Sequence, residues 1–172
     1  MSIIRQIAQL GHQVLREKSE PVTNLSEVSS LIDDMLMTMK ESHGIGIAAP
    51  QVYESLQIVI VASWPTLRYP YAPKMDPLVM INPEILWLSG EQEKDWEGCL
   101  SIPGIRGFVP RHHCIKVKYL TQEGVSHEHE LLGFAARIFQ HEFDHLEGFS
   151  YLDRLETNRD IITEKEFQKL FS

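Results

Sequence analysis

His141-Glu142-Phe143-Asp144-His145 sets two imidazoles four residues apart. On a helix that spacing puts both on one face, where they can reach a single metal ion. Glu142 then lies about 100° round the axis from His141. It is close enough to reach a metal-bound water without being a ligand, as a general base in metal-assisted hydrolysis must be. The bare five-residue pattern also arises as a solvated His/Glu/Asp face, so the third ligand matters. A third histidine six residues beyond the second is absent, because Tyr151 stands there. A later glutamate, Glu164 or Glu166, falls on a tail that reads as exposed. Cys99 is the better candidate: Glu97-Gly98-Cys99-Leu100-Ser101 is a short loop-like segment, and a thiolate with two imidazoles makes a tetrahedral site with one open position. Such a donor set accepts zinc, iron, nickel or cobalt.

The glycine-rich segment Gly44-Ile45-Gly46-Ile47-Ala48-Ala49-Pro50-Gln51 superficially resembles a dinucleotide-binding loop. That motif must follow a strand and open a helix, whereas here a helix precedes and a strand follows, so a nucleotide role is rejected. Paired glycines instead let an extended peptide approach the backbone. Other polar clusters take structural readings. His127 and His129 belong to a solvated hairpin, His112, His113 and Cys114 to a strand with a packed thiol, and Met35, Met37 and Met39 to core filling with one residue exposed.

These residues need elements to hold them. Leu25, Val28, Leu31, Ile32, Met35, Leu36 and Met39 recur at helical spacing, which predicts a helix from Leu25 to Met39 with Thr23 or Asn24 as N-cap, ending near His43 and Gly44. Leu56 to Val61 reads as a buried strand, Trp64 to Pro77 as a loop, and Leu78 to Ile81 as a strand stopped by Asn82 and Pro83. Ile115, Val117 and Tyr119 alternate with lysines as in a half-buried strand, and Thr121 to Gly124 makes a hairpin turn. Leu131 to Leu146 is the helix that carries the histidines, closed by Gly148. Asp160 to Ser172 reads as a mixed-charge terminal helix. The expected fold is α+β: antiparallel or mixed β-sheets around a central metal-binding helix, in a single compact domain spanning 1-172.

Composition agrees with a globular enzyme. The 172 residues are 43% hydrophobic and 23% charged, enough to bury a core without a disulfide or structural metal. A formal charge of -8 without a basic patch argues against nucleic acid or anionic membrane as partner. With no secretory pattern at the start and no apolar run of about 18 residues, the expectation is a cytoplasmic protein whose two cysteines, Cys99 and Cys114, are lone thiols.

Three segments together, the glycine-rich Gly44 to Gln51, Glu97 to Ser101, and Gln140 to Gly148, resemble the peptide deformylases, and the resemblance extends over essentially the whole chain. It implies removal of the formyl group from N-terminal formyl-methionine of nascent peptides, releasing formate. It implies Cys99, His141 and His145 as ligands of one divalent metal, Fe2+ in vivo with Zn2+, Ni2+ or Co2+ as substitutes. Glu142 becomes the catalytic acid/base, while Gln51 and the backbone amide of Leu100 face the carbonyl oxygen. Gly44, Ile45, Gly46, Gly98 and Ile138 are expected along the substrate groove, Ile45 and Ile138 helping to form the methionine pocket. Glu97 and Arg106 match a carboxylate and an arginine expected to pair and pin the Cys99 loop. Leu10-Gly11-His12 departs from the Pro-Asp pair common in the family. The interleaved charges of the tail offer no clearly basic C-terminal helix for ribosome association, which would then be transient. The rival readings are a small endopeptidase with the same metal helix, and a peptide-binding module with a closed structural metal.

Overall fold

The computed structural model describes residues 1–172. In chain order its main elements are α1 (Ser29–Glu41), β1 (Gly46–Ala48), β2 (Ile58–Ser63), β3 (Met75–Leu88), β4 (Gln92–Cys99), β5 (Ile102–His112), β6 (Cys114–Leu120), β7 (Ser126–Leu132), α2 (Gly133–Leu146), β8 (Ile161–Thr163) and α3 (Glu164–Lys169). A five-stranded sheet runs β1-β2-β3-β6-β7 and a three-stranded sheet runs β4-β5-β8. All of these strand pairs are antiparallel. The one parallel pairing is the isolated bridge between Glu20 and Leu56. The α+β expectation holds, with α2 at the centre.

The short β-branched run of β2 is buried on both faces, and its side chains divide by parity as a pleated strand requires. Ile58, Ile60 and Ala62 join Ile32, Met35 and Met39 of α1 in one core. Val59 and Val61 join Met80, Ile115, Val117, Ala136 and Phe139 in the other, against α2. Each such Ile or Val contributes about 1.5–3 kcal/mol relative to exposure. Met37, between the two core methionines, is half-buried.

Five boundaries differ from the sequence reading. Leu25 to Glu27 forms a 3-10 turn, with the Asn24 side chain accepting from the Ser26 N–H, and the α-helix begins only at Ser29. The second strand of the large sheet starts at Ile58 rather than Leu56, and β3 starts at Met75, so the preceding loop is shorter than predicted. β3 also does not stop at Asn82. Asn82 adopts φ 49° at a register shift between Ile81 and Glu84. Its side chain accepts from Val22 N at 2.8 Å and donates to Val22 O at 2.9 Å. The bulge therefore satisfies its own polar groups, and the strand continues. The tail is not one helix, because Ile161–Thr163 pairs with Ile105–Gly107 before α3 begins.

Gly133 opens α2 at φ +55° and Gly148 follows its end at φ +80°, both in the left-handed region that favours glycine. At Gly148 a Cβ would also lie 2.6 Å from the Arg16 carbonyl oxygen. Ten of the residues of α2, from Ala136 to Leu146, are buried, among them Arg137, Gln140, His141, Glu142, Asp144 and His145. A central helix carrying that many polar groups must pair them internally. No helix of the protein is long and apolar enough to cross a membrane.

Candidate metal centre and active site

The ligand atoms of Cys99, His141 and His145 all lie within 4.8 Å of one another, and all three residues are buried. His141 and His145 face one way because they are one helical turn apart on α2. Cys99 comes from the end of β4, where the chain turns so tightly that Cys99 pairs with Ile102 of β5. Its Sγ lies 3.4 Å from Nε2 of His145. Burial by itself would raise the Cys99 thiol, but electrostatic attraction and hydrogen bonds from the His145 and His141 side chains outweigh it and hold the thiol well below its ordinary value. Burial likewise works against a charged His141, and its hydrogen bonds to Cys99 and Glu97 raise it regardless. The site thus favours a thiolate beside positive charge, and His145 Nδ1 is buried without a partner. A soft thiolate and two imidazoles, desolvated and converging, fit a divalent transition metal.

Gln51 reaches this cluster from the 3-10 turn Ala49–Val52. Its Oε1 accepts from Ala48 N at 2.9 Å, which orients the amide so that Nε2 points at Cys99 Sγ (3.5 Å) and Ser101 Oγ (3.2 Å). Glu142 is buried, with Oε2 lacking any partner. Burial pushes its carboxyl up to about 7, against the pull of His141 and His145. A group that holds and yields a proton near neutrality suits acid/base work.

Around the ligands lies an ion network. Glu97 accepts from Arg111 Nε and Nη2 at 2.9 Å each, from Arg137 Nη1 at 2.7 Å, and meets His141 Nδ1 at 2.8 Å. A carboxylate on Nδ1 orients the ring and leaves Nε2 for the ligand cluster. Arg111 continues to Asp144 at 2.7 Å, and Asp144 to Arg154 at 2.8 Å. Arg111 and Arg137 thus offset two buried carboxylates. Burial would raise the Glu97 carboxyl, but the charge and hydrogen bonds of Arg111, joined by His141, hold it well below the carboxylate range.

The expected Glu97–Arg106 pair does not form, and Arg111 takes its place. The reason is parity: Glu97 lies opposite Gly107 in the β4–β5 register, so its face is shared by Val109 and Arg111, while Arg106 points the other way. There Arg106 binds Glu164 through two hydrogen bonds of 2.8 and 3.0 Å, between the rings of Tyr69 and Phe167 at 4.8 and 4.0 Å. Glu164 is therefore half-buried and committed rather than loose on the tail, and Glu166 pairs with Lys169 at the surface.

Cys99 and His141 open onto a cleft whose walls include Gly44, Ile45, Gly46, Gly98, Leu100 and Ile138. Gly46 has a use that spacing did not suggest. A Cβ there would lie 2.6 Å from Glu142 Oε1 and 2.8 Å from Ile138 Cγ2, so the glycine lets α2 bring the carboxylate against β1. Arg68, Tyr69, Trp96, Phe134 and Arg137 also line the cleft. Arg68, Trp96 and Phe134 did not stand out in the sequence, because each is an ordinary loop or amphipathic residue until the chain folds. His112, His113, His127 and His129 join no ligand cluster, and Cys114 is a half-buried free thiol.

An α+β scaffold that presents two helix imidazoles and a buried cysteine to a cleft, with a carboxylate alongside, defines a metal-dependent hydrolase. Residues 4–160 match the family described as polypeptide deformylase. Peptide deformylase 2 of a Nostoc species is 51% identical over 166 residues, covering 95% of this chain and 93% of that one. Peptide deformylase 2 of Shewanella oneidensis is 46% identical over 149 residues, covering 86% and 82%. Among solved structures, a Met-Ala-Ser-bound class I type b peptide deformylase from Acinetobacter baumannii superposes with a TM-score of 0.87 at 47% identity, covering 90% of this chain and 100% of that one. The peptide deformylase of Thermotoga maritima gives 0.81 at 39% identity, covering 90% and 99%. The chain belongs to the peptide deformylase family. Its activity is the family's, removal of the formyl group from N-terminal formyl-methionine.

Proposed function

We propose that Cys99, His141 and His145 hold one ferrous ion, with Zn2+, Ni2+ or Co2+ as possible replacements, and that Glu142, Gln51 and the Leu100 N–H carry the hydrolysis. The observation that bears most weight is the convergence of three buried ligand atoms within 4.8 Å beside a buried carboxylate with an unpartnered oxygen. When bound, the ion supplies Lewis acidity to the formyl group and to the attacking water. Glu142 takes a proton from that water and returns it to the departing methionyl nitrogen as the formyl C–N bond breaks, leaving formate and a free amine. Gln51 Nε2, held in direction by the Ala48 N–H, and the Leu100 N–H donate to the formyl oxygen as charge builds on it. Glu97 keeps His141 in one tautomer and orientation.

The methionine side chain lies in the cleft between Ile45, Ile138 and Phe134, with Gly44, Gly46 and Gly98 giving the peptide backbone close approach. The tripeptide Met-Ala-Ser bound to the Acinetobacter relative supports a chain start as occupant. The substrates are nascent formylated chains in the cytoplasm. α3 mixes Glu164 and Glu166 with Lys165 and Lys169, so a transient ribosome contact would not depend on a basic helix. The deciding experiment is anaerobic reconstitution with each metal, followed by formate detection on a formyl-methionyl peptide and its acetylated counterpart. Formate from the first and no acetate from the second is expected, with Fe2+ giving the fastest turnover. Cleavage of internal peptide bonds by the pure protein would overturn the assignment.

A further inference from the structure

The methionine cleft continues past Arg68, Tyr69, Trp96 and Phe134, which line both it and a second, wider groove bounded by the 67–73 loop and α3. Arg68 stands at this junction, with its carbonyl and the side chain of the next residue both held. Arg106 Nη2 donates to the Arg68 carbonyl at 2.7 Å, and the neighbouring Tyr69 hydroxyl accepts from the Gly98 N–H at 3.1 Å. The guanidinium lies against Gly98, where a Cβ would come within 2.7 Å of its Nη2. Arg106 is committed to Glu164 and Arg137 to Glu97. The Arg68 guanidinium has no ion pair or hydrogen-bonded acceptor, and it lies 5.9 Å from the centre of the Tyr69 ring. The acidic neighbours in the groove do not claim it: Glu164 holds Arg106, and Asp95 Oδ1 accepts from Trp96 N at 2.7 Å.

A guanidinium is a planar fork of donors that matches a carboxylate. An extended peptide advances about 3.3 Å per residue, so a chain with its formyl group at Cys99 and its methionine in the cleft brings its next residues past Gly98. We propose that Arg68 is a specificity-determining residue that pairs with a carboxylate on the second or third residue of the substrate. The enzyme therefore favours formyl-methionyl chains that are acidic just beyond the methionine. This rests on the deformylase reading of the same site. It also runs against the overall charge of -8, which by itself would disfavour acidic peptides. Arg68 is only half-buried, so the preference is that of a partly screened charge-assisted hydrogen bond, about tenfold in kcat/KM. It falls on KM, because the contact is made equally in ground and transition states.

The test uses the metal-loaded enzyme and amidated peptides formyl-Met-Ala-Glu and formyl-Met-Ala-Gln, with the same exchange made at the second position. The wild type is expected to prefer glutamate about tenfold at one of the two positions, a preference that shrinks as salt rises. Arg68→Gln should bring the ratio to about one, Arg68→Lys should keep part of it, and Arg68→Glu should invert it. Calorimetric titration with the deformylated products reads the same ratios as binding, independently of turnover. A wild-type ratio near one at both positions, or a preference that survives Arg68→Gln, overturns the proposal and leaves the deformylase reading standing. Failure to release formate from any of the peptides overturns both.

Discussion

Replacing Arg111 by Met removes a charge while keeping most of the buried stem, and so isolates the electrostatic part of the network behind the ligands. The side chain makes two hydrogen bonds to Glu97 and one to Asp144, and is 5% exposed. Breaking a buried pair by removing one partner costs about 3–5 kcal/mol. Here the low end applies, because Arg137 still faces Glu97 and Arg154 still faces Asp144. For a chain of this size about 3 kcal/mol lowers Tm by roughly 6–12 °C. Glu97 also orients His141, so metal affinity should fall about 10- to 100-fold, as it does when support for a metal-binding histidine is lost. The pH dependence has a definite sign. Glu97 is held below its ordinary value in the folded state, so its contribution is complete above the unfolded-state pKa and is lost as pH falls toward the folded one. Without Arg111 the folded-state value rises, and acid unfolding should begin at higher pH. Arg106→Met is the matched control: it breaks a pair with half-exposed Glu164 on the opposite face of β5, and metal affinity should be unchanged. Thermal melts from pH 4 to 8 and competitive metal titrations measure all of this. If Arg106→Met weakened the metal as much as Arg111→Met, the parity argument that assigns Glu97 to Arg111 would be wrong.

Glu142→Gln keeps the shape and removes the proton acceptor, so metal content should persist while single-turnover rates fall about 100- to 10000-fold. Near-normal turnover in that variant would remove Glu142 from the acid/base role. Gln51→Ala deletes an amide donor aimed at the developing oxyanion, and kcat/KM should drop about 100- to 1000-fold with the pH profile largely kept. A shifted profile at unchanged rate would refute that role. Gly46→Ala would place a methyl 2.6 Å from Glu142 Oε1, forcing the carboxylate aside at a stability cost of about 1–3 kcal/mol. Its formate release should fall far more than its Tm suggests, and unaltered kinetics would show that the approach of α2 to β1 is not needed.

How much of this could be read from the chain alone divides along physical lines. The candidate ligands were legible because local geometry does most of the work. His141 and His145 share a face through helical periodicity alone, Glu142 sits beside them by the same periodicity, and few residue types other than Cys99 could complete the set. The two-sided burial of β2 was legible as a continuous β-branched run, and the resemblance to the deformylases named the activity. The partners of those residues were not legible, because they depend on strand register. Whether Glu97 meets Arg106 or Arg111 is a question of odd or even offset from Gly107 across β4 and β5, and no sequence spacing states which residue stands opposite Glu97. The same holds for Asn82, which looks like a stop until Val22, 60 residues earlier, arrives to satisfy its side chain. It holds for Gly46, whose missing Cβ makes sense only once α2 crosses β1, and for Arg68 and Tyr69, which become part of the site only when their loop folds onto Gly98. Local periodicity determined which residues could do chemistry; long-range pairing decided what orients them, what neutralises them and what shares the cleft.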